Sequence, residues 1–209
     1  MPAHFSRRLW LGGVVASALI SRLGHAEDAA GAVVAVLPLG PFPAALLDKI
    51  NAGLQAELGC KVVAYPSVAL PSSAHYAPRN RYRAEKLLKF LRAHRVEPAT
   101  KILGVTTVDI STTAHGVYDW GILGLGQLGG DACVMSTFRC KRRAKDEQQV
   151  DFRMVTTCIH EVGHTLDLDH CPDRTCLMTD ARGSVLTVDG TTGHMCPRCR
   201  GKLGLSQGA

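Results

Sequence analysis

The sequence predicts an α/β fold: a mixed, mostly parallel twisted sheet with backing helices. Three observations predict it. Valine-rich apolar runs recur, amphipathic stripes alternate with them, and one long helix follows late in the chain. Residues 32–37 are a short apolar run of the kind that forms a buried strand. Leu46, Leu47, Ile50, Leu54 and Leu58 then recur at helical spacing. Residues 62–68 read as a second strand and 71–78 as a proline-bounded loop. Ala84, Leu87, Leu88 and Leu91 give the stripe of an amphipathic helix, with arginine and lysine opposite. Residues 102–110 supply a third strand. Strands alternating with helices imply a sheet with parallel pairs. Two shorter β-like pieces follow, near 121–128 and 133–138, joined by Gly129-Gly130-Asp131. The long helix is expected from about Val150 to Leu166, with Val155, Ile159, Val162 and Leu166 as its buried stripe.

That helix carries His160-Glu161-Val162-Gly163-His164, and the chain continues to His170 and Cys171. On a helix, His160 and His164 lie one turn apart and project from one face, so both imidazoles can reach one metal ion. Glu161 sits beside them, placed to take a proton from an activated water. His170 lies too far along for the same face, so the chain must turn after Leu166 to bring it back. Three nitrogen ligands leave a fourth position open, which marks a catalytic rather than a structural zinc. A surface helix with two histidines produces the same short motif; the third histidine separates the two readings.

Cys171 and Cys176 form one close pair, and Cys196 and Cys199 a second. Four thiolates in two pairs suit a tetrahedral, closed zinc site of structural role. The same cysteines also suit two disulfides in an exported chain. Because Cys171 directly follows His170, the cysteine site would clamp the C-terminal tail onto the end of the active helix.

His160, Glu161, His164, His170, Cys171, Cys176, Met178, Cys196 and Cys199, taken together with their spacing, resemble the archaemetzincin family of zinc metallopeptidases. The match is tight over residues 160–199 and looser upstream, through 81–94 and 101–110. The resemblance implies an α+β metzincin-like fold, a catalytic zinc, a four-cysteine structural zinc and hydrolysis of peptide bonds. It makes Met178 the Met-turn residue beneath the metal, packing without ligating. Residues 27–170 would form the catalytic N-terminal subdomain. Residues 171–209 would form a small C-terminal one, ordered by its zinc. One position departs from the metzincin pattern: Asp167 stands where glycine usually ends the helix. Asp is among the few other residues that visit the left-handed region, and here it would either end the helix or orient a ligand imidazole. Some metzincins add a tyrosine after the Met-turn; the last tyrosine here is Tyr118.

The chemistry expected is metal-assisted hydrolysis, with Glu161 as general base to a zinc-activated water. Peptide substrate would lie extended along the sheet edge near 121–138. The rival is a non-enzymatic zinc-binding protein using the same sites. An intact Glu161 argues against it, because a pure binding site needs no base.

The N-terminus sets the expected compartment. Arg7-Arg8 precede an apolar stretch of about twelve residues, too short to span a bilayer. It ends near Gly24-His25-Ala26, a small-x-small cleavage signal. Residues 1–26 therefore read as an export peptide of twin-arginine type, implying the export machinery as a partner and a periplasmic or secreted protein. A general secretory signal holding two arginines has the same outline. No stable membrane anchor is expected.

The formal charge of +6 falls when Arg7, Arg8 and Arg22 leave with the peptide, and so mild an excess does not argue for nucleic acid. Lys141-Arg142-Arg143 reads as a solvated loop. Gly124 to Gly129 match GxGxxG in letters, but a strand rather than a helix follows, so a glycine-rich edge is the expectation. His194 precedes Cys196 and reads as a solvent-facing loop residue. His75, His94 and His115, and Cys60, Cys133, Cys140 and Cys158, lack metal spacing; a Cys133–Cys140 bridge would be open after export.

Overall fold

The computed structural model describes residues 29–206. The export peptide expected over residues 1–26 lies outside them. In chain order the elements are β1 (Val33–Leu39), α1 (Ala44–Leu58), β2 (Lys61–Ala64), β3 (His75–Tyr76) and β4 (Arg81–Arg83). Next come α2 (Ala84–His94), β5 (Lys101–Thr106), β6 (Ile110–Ala114), β7 (Val117–Ile122), β8 (Gly124–Gly126) and β9 (Ala132–Ser136). The chain closes with α3 (Thr137–Cys140), α4 (Glu147–Thr165), α5 (Val185–Asp189) and α6 (Pro197–Lys202).

The main sheet runs β2-β1-β5-β9-β8. Its first three pairings are parallel, and β8 closes the edge antiparallel to β9. The three central strands, β1, β5 and β9, are buried almost throughout because both faces are covered. Along β1, Val34 and Val36 join one buried cluster with α1 and α4, while Ala35, Leu37 and Leu39 join a second with α2. Cys133 and Met135 of β9 split from Ala132 and Val134 in the same way. The layers are helix, sheet, helix, as the alternation of strands and helices predicted.

Three readings of the sequence are corrected. The second strand stops at Ala64, because Pro66 offers no amide to the ladder; only an isolated bridge, Leu39 to Val68, continues it. The run 102–110 is two strands, not one. It breaks after Thr106, and Ile110 opens a second sheet of order β3-β4-β6-β7. The break is made from a distance. The Asp109 carboxylate is buried against Arg81 at 2.7 Å and Arg139 at 2.8 Å, and this cluster turns the chain away from the first sheet. Third, Phe138 is not strand: the Ser136 hydroxyl caps α3 by accepting from the Phe138 amide.

Helix α4 lies at the centre of the core. Apart from half-buried Val155 and His164, every residue from Arg153 to Thr165 is buried. Its first turn is capped by Asp146, whose carboxylate accepts from the Gln149 amide at 2.8 Å. Arg153, 1% exposed, pairs with both oxygens of Asp189 at 2.7 and 2.6 Å and donates to the carbonyls of Cys140 and Arg142. This ties α4 to α5. Leu177, Met178, Val188, Met195 and Leu203 share one buried cluster with α4, so the C-terminal segment is packed onto the same core. Among the described residues, no helix is long and apolar enough to cross a membrane.

Candidate active site

The end of α4 decides where the third histidine goes. The Leu168 amide donates back to the Gly163 carbonyl at 3.0 Å, and the Asp167 amide to His164 at 3.0 Å. These two bonds make a Schellman closure, with Asp167 at φ 67° in the place glycine normally takes. Asp167 therefore ends the helix, and the chain reverses through Leu168 and Asp169 to present His170. The ring centroids of His160 and His164 lie 4.6 Å apart, those of His164 and His170 4.8 Å, and those of His160 and His170 5.5 Å. One ligand nitrogen from each of the three falls within 4.8 Å of the others.

Main-chain carbonyls orient two of these rings. His160 Nδ1 donates to the Leu177 carbonyl at 2.8 Å, and His164 Nδ1 donates to the Leu168 carbonyl at 2.7 Å. These orienting partners are backbone atoms, and Asp167 is not among them. With both Nδ1 protons so engaged, the two Nε2 atoms present bare lone pairs to each other at 3.0 Å. Burial, with His164 adding to it, pushes the His160 ring down to about 4; burial lowers His164 as well. Neutral imidazoles with converging lone pairs are the donor set a zinc ion requires.

Glu161 points into the same cleft, of about 250 Å³, beside β8. Burial pushes its carboxyl up to about 8, opposed by the Gly126 amide that donates to it. Alternate residues of β8 are glycine for a packing reason: a Cβ on Gly124 would lie 2.8 Å from Glu161 Oε1, and one on Gly126 2.6 Å from the Glu161 carbonyl. The GxGxxG letters thus mark an edge strand pressed against the Glu161 side chain, as the sequence reading preferred. Met178 is fully buried, its sulfur seated where a Cβ on Gly163 would be 2.8 Å away. Sequence reasoning missed Gly163 and the Leu168 and Leu177 carbonyls. The glycine inside the histidine motif was the one available signal.

The four cysteines form the second cluster. Cys171 and Cys196 sulfurs are 3.7 Å apart, Cys176 and Cys199 sulfurs 3.8 Å, and all four lie within 4.8 Å of one another as free thiols. A tetrahedron of zinc–sulfur bonds of about 2.3 Å has edges of about 3.8 Å, so the spacing fits a four-thiolate zinc and not a pair of disulfides. Cys133 and Cys140 are likewise free and buried. His194 stays outside the cluster and pairs with Glu57 at 3.0 Å. One stretch of backbone joins the two clusters: Leu177 holds His160, and the next carbonyl, Met178, accepts from the Cys171 amide at 2.8 Å.

The family pattern that matches residues 45–204 is that of peptidase family M54. The chain belongs to that family. The peptidase is 30% identical to the archaemetzincin of Methanopyrus kandleri over 159 residues, 76% of this chain and 86% of that one. It is 28% identical to the archaemetzincin of Natronomonas pharaonis, over 81% of this chain and 98% of the relative. The crystal structure of the Methanopyrus kandleri protein superimposes with a TM-score of 0.71 at 29% identity, covering 84% of this chain and 94% of the other. That of the Archaeoglobus fulgidus archaemetzincin, complexed with malonate, gives 0.68 at 27% identity, covering 81% and 99%. The fold, the peptidase class and the zinc dependence expected from the resemblance all stand with this membership, and the non-enzymatic reading is not favoured.

Proposed function

We propose that His160, His164 and His170 hold one catalytic zinc, and that Cys171, Cys176, Cys196 and Cys199 hold a second, structural one, giving two zinc ions per chain. The observation that carries this is the convergence of three imidazoles with a buried carboxylate one residue along the same helix. Bound to the histidines, zinc supplies a Lewis acid that polarises the scissile carbonyl and makes water a nucleophile near neutral pH. Glu161 is the general base: its carboxylate takes a proton from the attacking water and returns it to the leaving amine. Burial on its own would hold this carboxyl protonated, and the Gly126 amide that donates to it opposes burial and favours the ionised form a base needs. Met178 packs as the floor of the site. Peptide substrate lies extended along the free edge of β8.

Residues 1–26 are proposed as a twin-arginine export peptide, delivering a folded, zinc-loaded peptidase to the periplasm or beyond. Arg7-Arg8 and the need to keep four thiols from mispairing support this route. Two disulfides among Cys171, Cys176, Cys196 and Cys199 in periplasmic protein would exclude it.

The deciding experiment combines zinc stoichiometry with hydrolysis of a diverse peptide library by wild type and Glu161→Ala. The variant is expected to keep both metals and lose nearly all turnover. Equal turnover in the two proteins removes Glu161 from the mechanism.

A further inference from the structure

A second cleft, of about 390 Å³, opens beside the active site, and Arg182 and Gly183 line both. Its walls carry Arg79, Arg81, Arg139, Arg142 and Arg182, with Trp120 among the other lining residues. The positive charge is only partly balanced. Asp109 engages Arg81 and Arg139 at 2.7 and 2.8 Å. Asp119 engages Arg81 at 3.2 Å and Arg79 at 3.5 Å, and Asp180 lies 3.5 Å from Arg182. Three carboxylates thus meet five guanidinium groups, and Arg142 has no acidic partner among the described residues. The floor is rigid. Arg139 is 8% exposed, held by both oxygens of Asp109, and its guanidinium crosses Gly121 where any Cβ would collide with it.

One run of backbone connects the two clefts. Val117, Asp119, Trp120 and Gly121 line the arginine cleft, and Ile122 to Gly126 line the active site. β8 is an edge strand, paired only with β9, and the Gly126 amide is turned away from β9 towards Glu161. A peptide lying antiparallel to β8 would therefore send its C-terminal portion towards Gly121 and the arginines. The reverse orientation would send a positively charged amino terminus there. At about 3.3 Å per residue, the arginines are reached about three to five residues past the scissile bond.

We propose that this cleft is a specificity subsite for carboxylates on the leaving-group side of the scissile bond, with Arg142 and Arg182 as the groups that recognise them. The inference rests on the reading that peptide lies along β8 beside Glu161. It assigns a role to Arg142, which sequence alone placed in a solvated basic loop. Acidic side chains and a free C-terminal carboxylate offer the same chemistry, and the experiment separates them.

Peptide pairs differing only in Asp or Glu against Asn or Gln beyond the cleaved bond, and pairs differing only in a free against an amidated C-terminus, are assayed with zinc-loaded wild type and an Arg142→Gln/Arg182→Gln double variant. Wild type is expected to favour one or both carboxylate sources by about three- to fivefold in kcat/KM, chiefly through KM. The preference should shrink with added salt, and the ratio in the double variant should fall to near one. A wild-type ratio near one, or a ratio unchanged in the double variant, overturns the proposal. So does capture of a single-stranded oligonucleotide by the same arginines with no acidic-peptide preference. Affinity of the same peptides for zinc-loaded Glu161→Ala protein, read by fluorescence anisotropy, tests the cleft apart from turnover. Equal affinities for acidic and neutral peptides overturn it. Tight, arginine-dependent binding of acidic peptides that wild type leaves uncleaved would instead overturn the reading that such peptides are cleaved beside Glu161 and leave the carboxylate site standing.

Discussion

Replacing Gly126 by alanine drives a wedge between β8 and the active helix. The added methyl would sit 2.6 Å from the Glu161 carbonyl and 2.9 Å from Glu161 Oε2, where ordinary contact begins at 3.4 Å. Relief requires a separation of about 0.8 Å, the difference between 3.4 and 2.6 Å. The nearer obstacle is main chain of a buried helix, so the exposed edge strand must retreat and take the Gly126 amide with it. Glu161 then loses its one backbone donor and its fixed orientation. A displacement of this size costs about 10- to 100-fold in kcat when it moves a catalytic group. Overpacking of this kind also costs about 1–3 kcal/mol, or roughly 2–12 °C in Tm for a domain of this size. The assay is kcat and KM on a fluorogenic peptide, with Tm and zinc content on the same preparations. Gly31→Ala is the control, because a Cβ there meets nothing within 4 Å. A Gly126→Ala protein with wild-type kcat, Tm and zinc content would refute the claim that β8 positions Glu161.

Three further outcomes follow from the same contacts. Arg153→Met leaves the Asp189 carboxylate and two carbonyls without their donor inside the protein, and should cost about 3–5 kcal/mol in urea unfolding; a loss below 1 kcal/mol would mean the pair contributes little. Burial holds the His160 ring at about 4, below its unfolded value near 6.5. The zinc-free chain should therefore keep this stability above pH 6.5 and lose it as pH falls through 4. At pH 4.5 the loss is roughly 2–3 kcal/mol, and identical pH profiles for wild type and His160→Asn would contradict it. Cys199→Ser should remove one zinc per chain and also lower turnover, because residues 177 and 178 bridge the two clusters; full activity with one zinc missing would show that the bridge transmits nothing.

Much of the candidate site was legible in the sequence because its parts are local. His160, Glu161 and His164 are spaced by the helix itself, and the cysteine pairs are each closed within a few residues. The strands β1 and β5 and the helices α1 and α2 were legible for a similar reason: burial on one or two faces imprints a period on the residues. The second sheet left no such imprint. Asp109, Arg81 and Arg139 break the 102–110 run by a buried ionic contact between residues far apart in the chain, and nothing in an apolar pattern records it. The apolar period places the start of the active helix at Val150, but the Asp146 cap starts it at Glu147.

By itself the sequence determined the chemistry available to this chain: which donors could meet a metal, which carboxylate stood beside them, and which thiols could form a closed site. Helix geometry and ligand preference act over a few residues, so their marks survive in one dimension. Only the tertiary structure decided how that chemistry is oriented and what surrounds it. The carbonyls that direct His160 and His164, the glycine edge against Glu161 and the gathering of five arginines into one cleft all arise from packing between distant segments. Such contacts depend on the distances the fold imposes, and no local pattern of residues encodes them.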